Sequence, residues 1–162
     1  MTRKKFRIEE YVAYSEAREE NDILAQAEAI HLKRLQRMGS ITSPTDCAAF
    51  LRARYGHLPH EVFAAVLLDS KHHILAVCDL FRGCLSGAEI HPRQVAIACL
   101  HHRASSVVYC HNHPSSNLSF SQADIQVTKM LSAALKFLDI RTLDHVLVTN
   151  AGTASMAEQG LM

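Results

Sequence analysis

The feature that most limits what this chain can become is a run of seven residues with no polar side chain, Val62-Phe63-Ala64-Ala65-Val66-Leu67-Leu68. It is too short to cross a membrane, which takes roughly 18 apolar residues or more. A continuous apolar stretch of this length suits a strand buried on both faces. Asp69-Ser70-Lys71-His72 follows it and reads as a turn. Residues 74–80 form a second strand, and residues 106–110, a β-branched run, read as a central strand. Residues 145–148 are a further strand. Residues 92–103 read as a helix with Val95, Ile97, Ala98 and Leu100 as its apolar positions. Residues 122–138 read as another, expected to pack on the sheet through Ile125, Met130, Leu131 and Leu135. Strands and helices alternate, so the expected class is α/β and layered, with strands 62–68 and 106–110 in one sheet.

Residues 6–38 contain neither Gly nor Pro, and Ile23, Leu24, Ala27, Ile30, Leu32 and Leu35 make a mostly helical stripe with Gly39 as its stop. The part before Ile23 is more polar and reads as a loose arm or a partner-binding helix. Ser43-Pro44 fits a new helix, with Ser as N-cap and Pro at the first helical position, running to about Tyr55 and ending at Gly56. His57-Leu58-Pro59 is a linker into the core. We therefore expect an N-terminal helical extension over residues 1–42 and one globular domain over residues 43–162.

The 162 residues are 48% hydrophobic and 20% charged, which is ordinary for one soluble domain. A net charge of +1, with basic residues clustered only at Arg3, Lys4 and Lys5, argues against a dedicated phosphate-backbone binder. No apolar signal core follows the basic N-terminus, so a cytoplasmic protein with no membrane span is expected. Five cysteines (Cys47, Cys78, Cys84, Cys99 and Cys110) show no CxxC spacing and read as buried, reduced thiols. Eleven histidines are the unusual feature of the composition and bring metal chemistry into question.

That question centres on residues 109–124, Tyr-Cys-His-Asn-His-Pro-Ser-Ser-Asn-Leu-Ser-Phe-Ser-Gln-Ala-Asp. In an extended segment, residues two apart share a face. His111 and His113 can therefore meet one point just beyond a strand end, with Asn112 facing the other way. Ser121 is suited to cap the following helix, which makes Asp124 its third residue and the pair a capping box, with Phe120 and Ile125 as a staple. That local reading explains Ser121 and Asp124 but leaves the two histidines unexplained. In the alternative, Asp124 joins both imidazoles, and three such ligands leave the fourth position of a tetrahedral zinc to water. A bare H-x-H is a weak signal; H-x-H-P-S with the later Ser and Asp is far more specific.

The segment resembles the signature of JAMM metalloproteases, H-x-H-P followed by S-x-x-D, with ten residues between the second His and the Asp. The Pro-Ser after His113 is similar to the RadC branch in particular. Further RadC-like marks are Glu61 opening the apolar run, Gly83, Val95 preceded by His91-Pro92-Arg93, Asp144-His145-Val146, and the Glu158-Gln-Gly-Leu tail. The resemblance covers residues 52–162. It implies a three-layer mixed-sheet MPN/JAMM fold, similar to cytidine deaminases, and a Zn²⁺ held by His111, His113 and Asp124. It also implies that Glu61 moves the proton of an attacking water and that Ser121 donates to the developing oxyanion. Residue by residue, Glu61 is otherwise a solvated carboxylate at a strand start. Asp144-His145 reads as a satisfied pair, with a role outside the ligands as the alternative. His72-His73 reads as a polar turn, and His101, His102 and Arg103 as a helix end, where positive groups suit the dipole. Asn112 and Ser115 border the site and can orient ligands or substrate.

Two positions depart from the RadC pattern: Ser116 stands where Gly is usual, and Phe120 where Pro is usual. If position 116 takes a positive φ, serine there costs about 1 kcal/mol. No glycine-turned hairpin precedes Gly39, so the expectation is a short RadC-like protein without the helix-hairpin-helix region.

Rival enzymes are excluded by their motifs. A zinc deaminase needs H-x-E with P-C-x-x-C; His60-Glu61 lacks the second His of H-E-x-x-H; and there is no G-x-S-x-G nucleophile elbow. The resemblance implies a peptide or protein substrate. The alternatives are a nucleic-acid-associated protein, carried only by the family's DNA-repair label, and a binding module that keeps a structural zinc.

Overall fold

In the computed structural model, residues 43–83 and 90–162 are described, together with residues 22–24, 26, 27 and 30. The elements, in chain order, are α1 (Pro44–Tyr55), β1 (Val62–Leu68), β2 (Ile74–Arg82), α2 (Pro92–His101), β3 (Ser106–Asn112), α3 (Gln122–Lys136), β4 (Arg141–Val148) and β5 (Thr153–Ser155). The strands form one five-stranded mixed sheet in the order β2-β1-β3-β4-β5. β3 pairs antiparallel with β1 and parallel with β4, so α3 is the crossover of a β3–α3–β4 unit.

All seven residues of β1 and all seven of β3 are buried. Strand alternation divides their side chains between two cores. Val62, Ala64, Val66 and Leu68 pack with Val108, Cys110, Val146 and Val148 against Cys47, Phe50, Leu51 and Tyr55 of α1. Phe63, Ala65 and Leu67 pack with Val107 and Tyr109 against Val95 and Cys99 of α2 and Leu131 and Leu135 of α3. This is why the two apolar runs carry no period: each side of each strand meets helix.

The expected strand pair in one sheet is present, and β1 and β3 are direct neighbours. Several boundaries move. β2 runs on to Arg82, β3 to Asn112 and β4 back to Arg141, while α2 stops at His101 and α3 at Lys136. Three apolar positions do not face the core. Met130 is 44%, Ile97 60% and Leu100 55% exposed, so α3 packs through Leu131 and Leu135, and α2 through Val95 and Cys99. Helical periodicity alone admits either face when apolar residues lie all round the helix. Ser43 takes the N-cap position with extended backbone and Pro44 follows it, but the Ser43 side chain makes no capping hydrogen bond. Most of the helix expected over residues 6–38, Gly39 and Cys84 lie outside the described residues. Ile23 and Ile30 of that expected apolar stripe are helical and exposed. Cys47, Cys99 and Cys110 are buried free thiols, as expected, whereas Cys78 is free but only half-buried.

α1 ends where Gly56 passes under the end of β4. Its φ of −63° would suit any residue, but a Cβ there would lie 2.7 Å from the Arg52 carbonyl oxygen and 2.9 Å from that of Thr149. Alanine gains helix propensity of up to about 1 kcal/mol over glycine. Both obstructing atoms are backbone: relief from Thr149 requires the end of α1 to move off the sheet, relief from Arg52 requires its last turn to open, and overpacking of this kind costs about 1–3 kcal/mol. Gly56→Ala is therefore expected to lower stability in urea denaturation; an unchanged or raised midpoint would show that α1 has room to shift.

Candidate metal centre

The site lies at the carboxyl end of β3. Because β1 runs antiparallel to β3, the amino end of β1 reaches the same edge, and because α3 follows β3, its first turn returns there too. The edge thus receives His111 and His113 from β3 and its extension, Asp124 from α3, and Glu61 from the residue before β1. β4, parallel to β3, adds His145.

Asp124 is held by its own helix. The Ser121 hydroxyl accepts the Asp124 backbone N–H at 3.1 Å. In return Asp124 Oδ2 accepts the Ser121 N–H and the Ser121 hydroxyl, each at 2.7 Å. This is a complete capping box. The capping reading holds and leaves the other open, since the oxygen fixed by the cap is also the one that faces His111 Nε2 at 3.6 Å.

His111 Nε2 and His113 Nε2 stand 3.1 Å apart. One ligand atom from each of His111, His113 and Asp124 lies within 4.8 Å of the other two. Atoms held at about 2.0–2.2 Å around a tetrahedral cation stand roughly 3.3–3.6 Å from one another, so the cluster is compatible with a metal site. The donor chemistry agrees. His113 Nδ1 lies 2.9 Å from the Asn117 carbonyl oxygen, which can only accept. Nδ1 therefore carries a proton, which leaves Nε2 as the ring atom turned to the cluster. Burial pulls His111 down to about 4; Asp124 opposes this and His113 adds to it. Burial also holds His145 well below the ordinary histidine range, with His111 and His113 acting in the same direction. Neutral imidazoles are the form that binds metal.

Glu61 is half-buried and sits one residue before β1. Its backbone is pinned from three directions. Asn112 Oδ1 accepts the Val62 N–H at 2.7 Å, Asn112 Nδ2 donates to the His60 carbonyl at 2.9 Å, and the Gly83 N–H donates to the Glu61 carbonyl at 2.9 Å. Gly83 does this at φ +129°, a conformation open to glycine and strained for other residues. Asn112, facing away from the histidines as expected, thus spans the residues on both sides of Glu61. Phe63 pairs with His111, so strand alternation puts Glu61, two residues earlier, on the His111 face of the sheet.

Ser116 takes φ +61°, so the serine does occupy a left-handed position that favours glycine. The Phe120 ring centroid lies 6.0 Å from that of His111 and 5.8 Å from that of His145.

His145 is where sequence reasoning fell short. It is fully buried, with Nε2 at 2.7 Å from His111 Nδ1 and Nδ1 at 2.5 Å from Thr128 Oγ1. Both ring nitrogens therefore have partners, and one of those partners is a member of the His111, His113 and Asp124 cluster. Asp144 is a structural anchor, accepting from the His145 and Ala157 N–H groups and the Ser155 hydroxyl. Thr128 was not singled out at all. The available signal was its spacing of four from Asp124, which puts both on one helix face. His73 pairs with Asp69 at 2.7 Å in the expected polar turn. Burial, with Asp144 adding to it, pushes the Cys47 thiol up to about 12, which removes it as a nucleophile.

A family model described as the RadC-like JAB domain matches residues 41–161. The chain is similar to a UPF0758 protein of Pseudomonas syringae pv. tomato, 44% identical over 128 residues, covering 79% of this chain and 57% of that protein. It is also similar to the UPF0758 protein of Azotobacter vinelandii, 44% identical over 128 residues with the same coverage. The UPF0758 protein of Variovorax paradoxus is 40% identical over 140 residues, covering 86% of this chain and 62% of that protein. The chain thus spans about three-fifths of the length of the curated relatives it matches. No helix among the described residues is long and apolar enough to cross a membrane.

The two buried rings make metal-free stability depend on pH. An unfolded histidine takes up its proton near the ordinary value of 6.5, whereas folded His111 does so only at about 4, and His145 is lowered as well. Within that window the unfolded state binds more protons, so stability falls as pH falls. Urea midpoints of metal-free protein should drop between about pH 7 and about pH 5; equal midpoints would show that the rings are not held neutral.

Proposed function

The chain belongs to the RadC-like JAB domain family, and from that premise we propose that it is a zinc-dependent hydrolase of JAMM type, a metallopeptidase that cleaves a peptide or isopeptide bond. The observation that carries this reading is the convergence of His111 Nε2, His113 Nε2 and Asp124 on one point. Two imidazole nitrogens and a carboxylate suit zinc better than the all-oxygen cations calcium and magnesium. The packing of α1 into one core and of α2 and α3 into the other supports the three-layer MPN/JAMM arrangement over residues 43–162. Residues 1–42 are then an extension outside the catalytic unit. Buried free thiols accord with a cytoplasmic setting.

In this reading His111, His113 and Asp124 hold the metal. When bound, zinc supplies a Lewis acid that lowers the pKa of water toward about 7 and polarises a substrate carbonyl. Glu61, whose backbone is held by Asn112 and Gly83 at the same end of the sheet, takes the proton of the attacking water. It returns that proton to the leaving amine as the C–N bond breaks, so the carboxylate is regenerated. Ser121 is exposed and its hydroxyl is aimed at Asp124 Oδ2. Rotation of that hydroxyl frees it to donate to the developing oxyanion, while Asp124 keeps the Ser121 N–H.

Purified protein is expected to hold about one zinc per chain, the stoichiometry of a single three-ligand site. His113→Ala and Asp124→Asn should lose it. Glu61→Gln should keep metal and fold while peptide-library turnover falls by about 10²–10⁴-fold. Full zinc occupancy in His113→Ala would show the ligands are wrong. Loss of zinc in Glu61→Gln with retention in Asp124→Asn would invert the roles. Normal turnover by both would remove the mechanism.

A further inference from the structure

Behind the cluster, a line of three hydrogen bonds runs from Asp124 back to His111, and the chemistry of its far end settles the direction of every bond. The terminus is the Asp124 backbone carbonyl, which can only accept. Thr128 Oγ1, 2.6 Å away, must therefore spend its one proton there. The same oxygen then offers only lone pairs to His145 Nδ1, at 2.5 Å, so His145 Nδ1 carries the proton. His145 is fully buried in the core and holds a single proton, so its Nε2 bears a lone pair. His111 Nδ1, 2.7 Å from that lone pair, must be the donor. A neutral His111 protonated at Nδ1 presents a lone pair at Nε2, the atom that faces His113 and Asp124.

We propose that Thr128 and His145 are positioning residues that fix the tautomer of His111 and join it to the helix turn carrying Asp124. The line links three elements that bring the site together: β3 through His111, β4 through His145 and α3 through Thr128 and Asp124. Its two ends are ligands in the reading given above, on which this inference rests. The His145 ring is held in one orientation by aromatic neighbours. Phe63 meets it at 83° with centroids 5.4 Å apart, Tyr109 at 75° and 6.0 Å, and Phe120 closes the outer side at 5.8 Å. Ring rotation would break both bonds at once, leaving two buried nitrogens unpaired. His113 has the same arrangement in simpler form, because a backbone carbonyl fixes its tautomer directly. His111 lies too deep for that and borrows a carbonyl from α3 through two side chains.

The test is made on the full chain with Zn²⁺ and with Co²⁺ as a spectroscopic substitute. Imidazole ¹⁵N shifts of zinc-loaded wild type should identify both His145 and His111 as Nδ1–H tautomers. A His145 protonated at Nε2 overturns the proposal without any mutation. Thr128→Val keeps the shape but removes the hydroxyl, so His145 no longer has an acceptor that selects its tautomer. Chelator-competition titrations should show about 10- to 100-fold weaker zinc binding for this variant, and the Co²⁺ absorption bands should change. Thr128→Ser, which restores the hydroxyl, should return both to wild type. Valine and serine variants that bind zinc equally, both folded by urea denaturation, would overturn the relay while leaving the metal reading intact. Failure of wild type itself to bind zinc would overturn the metal reading, and the relay with it.

Discussion

The site depends on the burial of polar side chains at the end of β3. A strand covered on both faces is normally apolar throughout, yet β3 ends in His111 and Asn112 with no exposure at either. An unpaired polar group at such a depth costs about 1–3 kcal/mol, and protein answers all of their side-chain polar atoms except His111 Nε2, which faces His113 and Asp124. The answers come from different parts of the chain. Asn112 takes the Val62 N–H and gives to the His60 carbonyl on one face of the sheet. His111 meets His145, His113 and Asp124 on the other. Meeting these demands aligns the start of β1, the middle of β4 and the first turn of α3 on one edge. The same bonds that make β3 tolerable as a buried strand therefore assemble the cluster.

The first turn of α3 shows how one group can serve stability and chemistry together. A carboxylate at the third position of a helix is favoured by the dipole and by capping. Ser121 supplies two donors to a single oxygen of Asp124 and leaves that carboxylate almost no freedom to turn. A cation brought close to a helix N-terminus meets the positive end of the dipole. The fixed negative charge of Asp124 offsets that repulsion, and its orientation entropy has already been spent in folding. Ser116, in a left-handed conformation that costs about 1 kcal/mol for serine, is tolerated in the loop between the histidines and this turn.

Much of the architecture was legible because burial on two faces leaves a plain mark in the sequence. The apolar run from Val62 to Leu68 and the β-branched run from Ser106 read as interior strands, and they are neighbours. The helices were legible as helices but not in their facing. Met130, Ile97 and Leu100 looked like core and lie outside, because a helix with apolar residues on several sides has no single moment to follow.

At the site, what the sequence by itself determined was the set of residues whose partners are local. His111 and His113 share a face because they are two apart on an extended chain, and Ser121 and Asp124 meet because they are three apart at a helix start. What only the tertiary structure decided was everything that depends on strand order. His145 touches His111 across 34 residues, Asn112 brackets Glu61 across about 50 residues, and Thr128 becomes relevant only once β4 lies beside β3. A spacing of two, three or four residues is dictated by backbone geometry alone. A contact between strands is decided by which pairing buries the most apolar surface, and that is a property of the whole sheet.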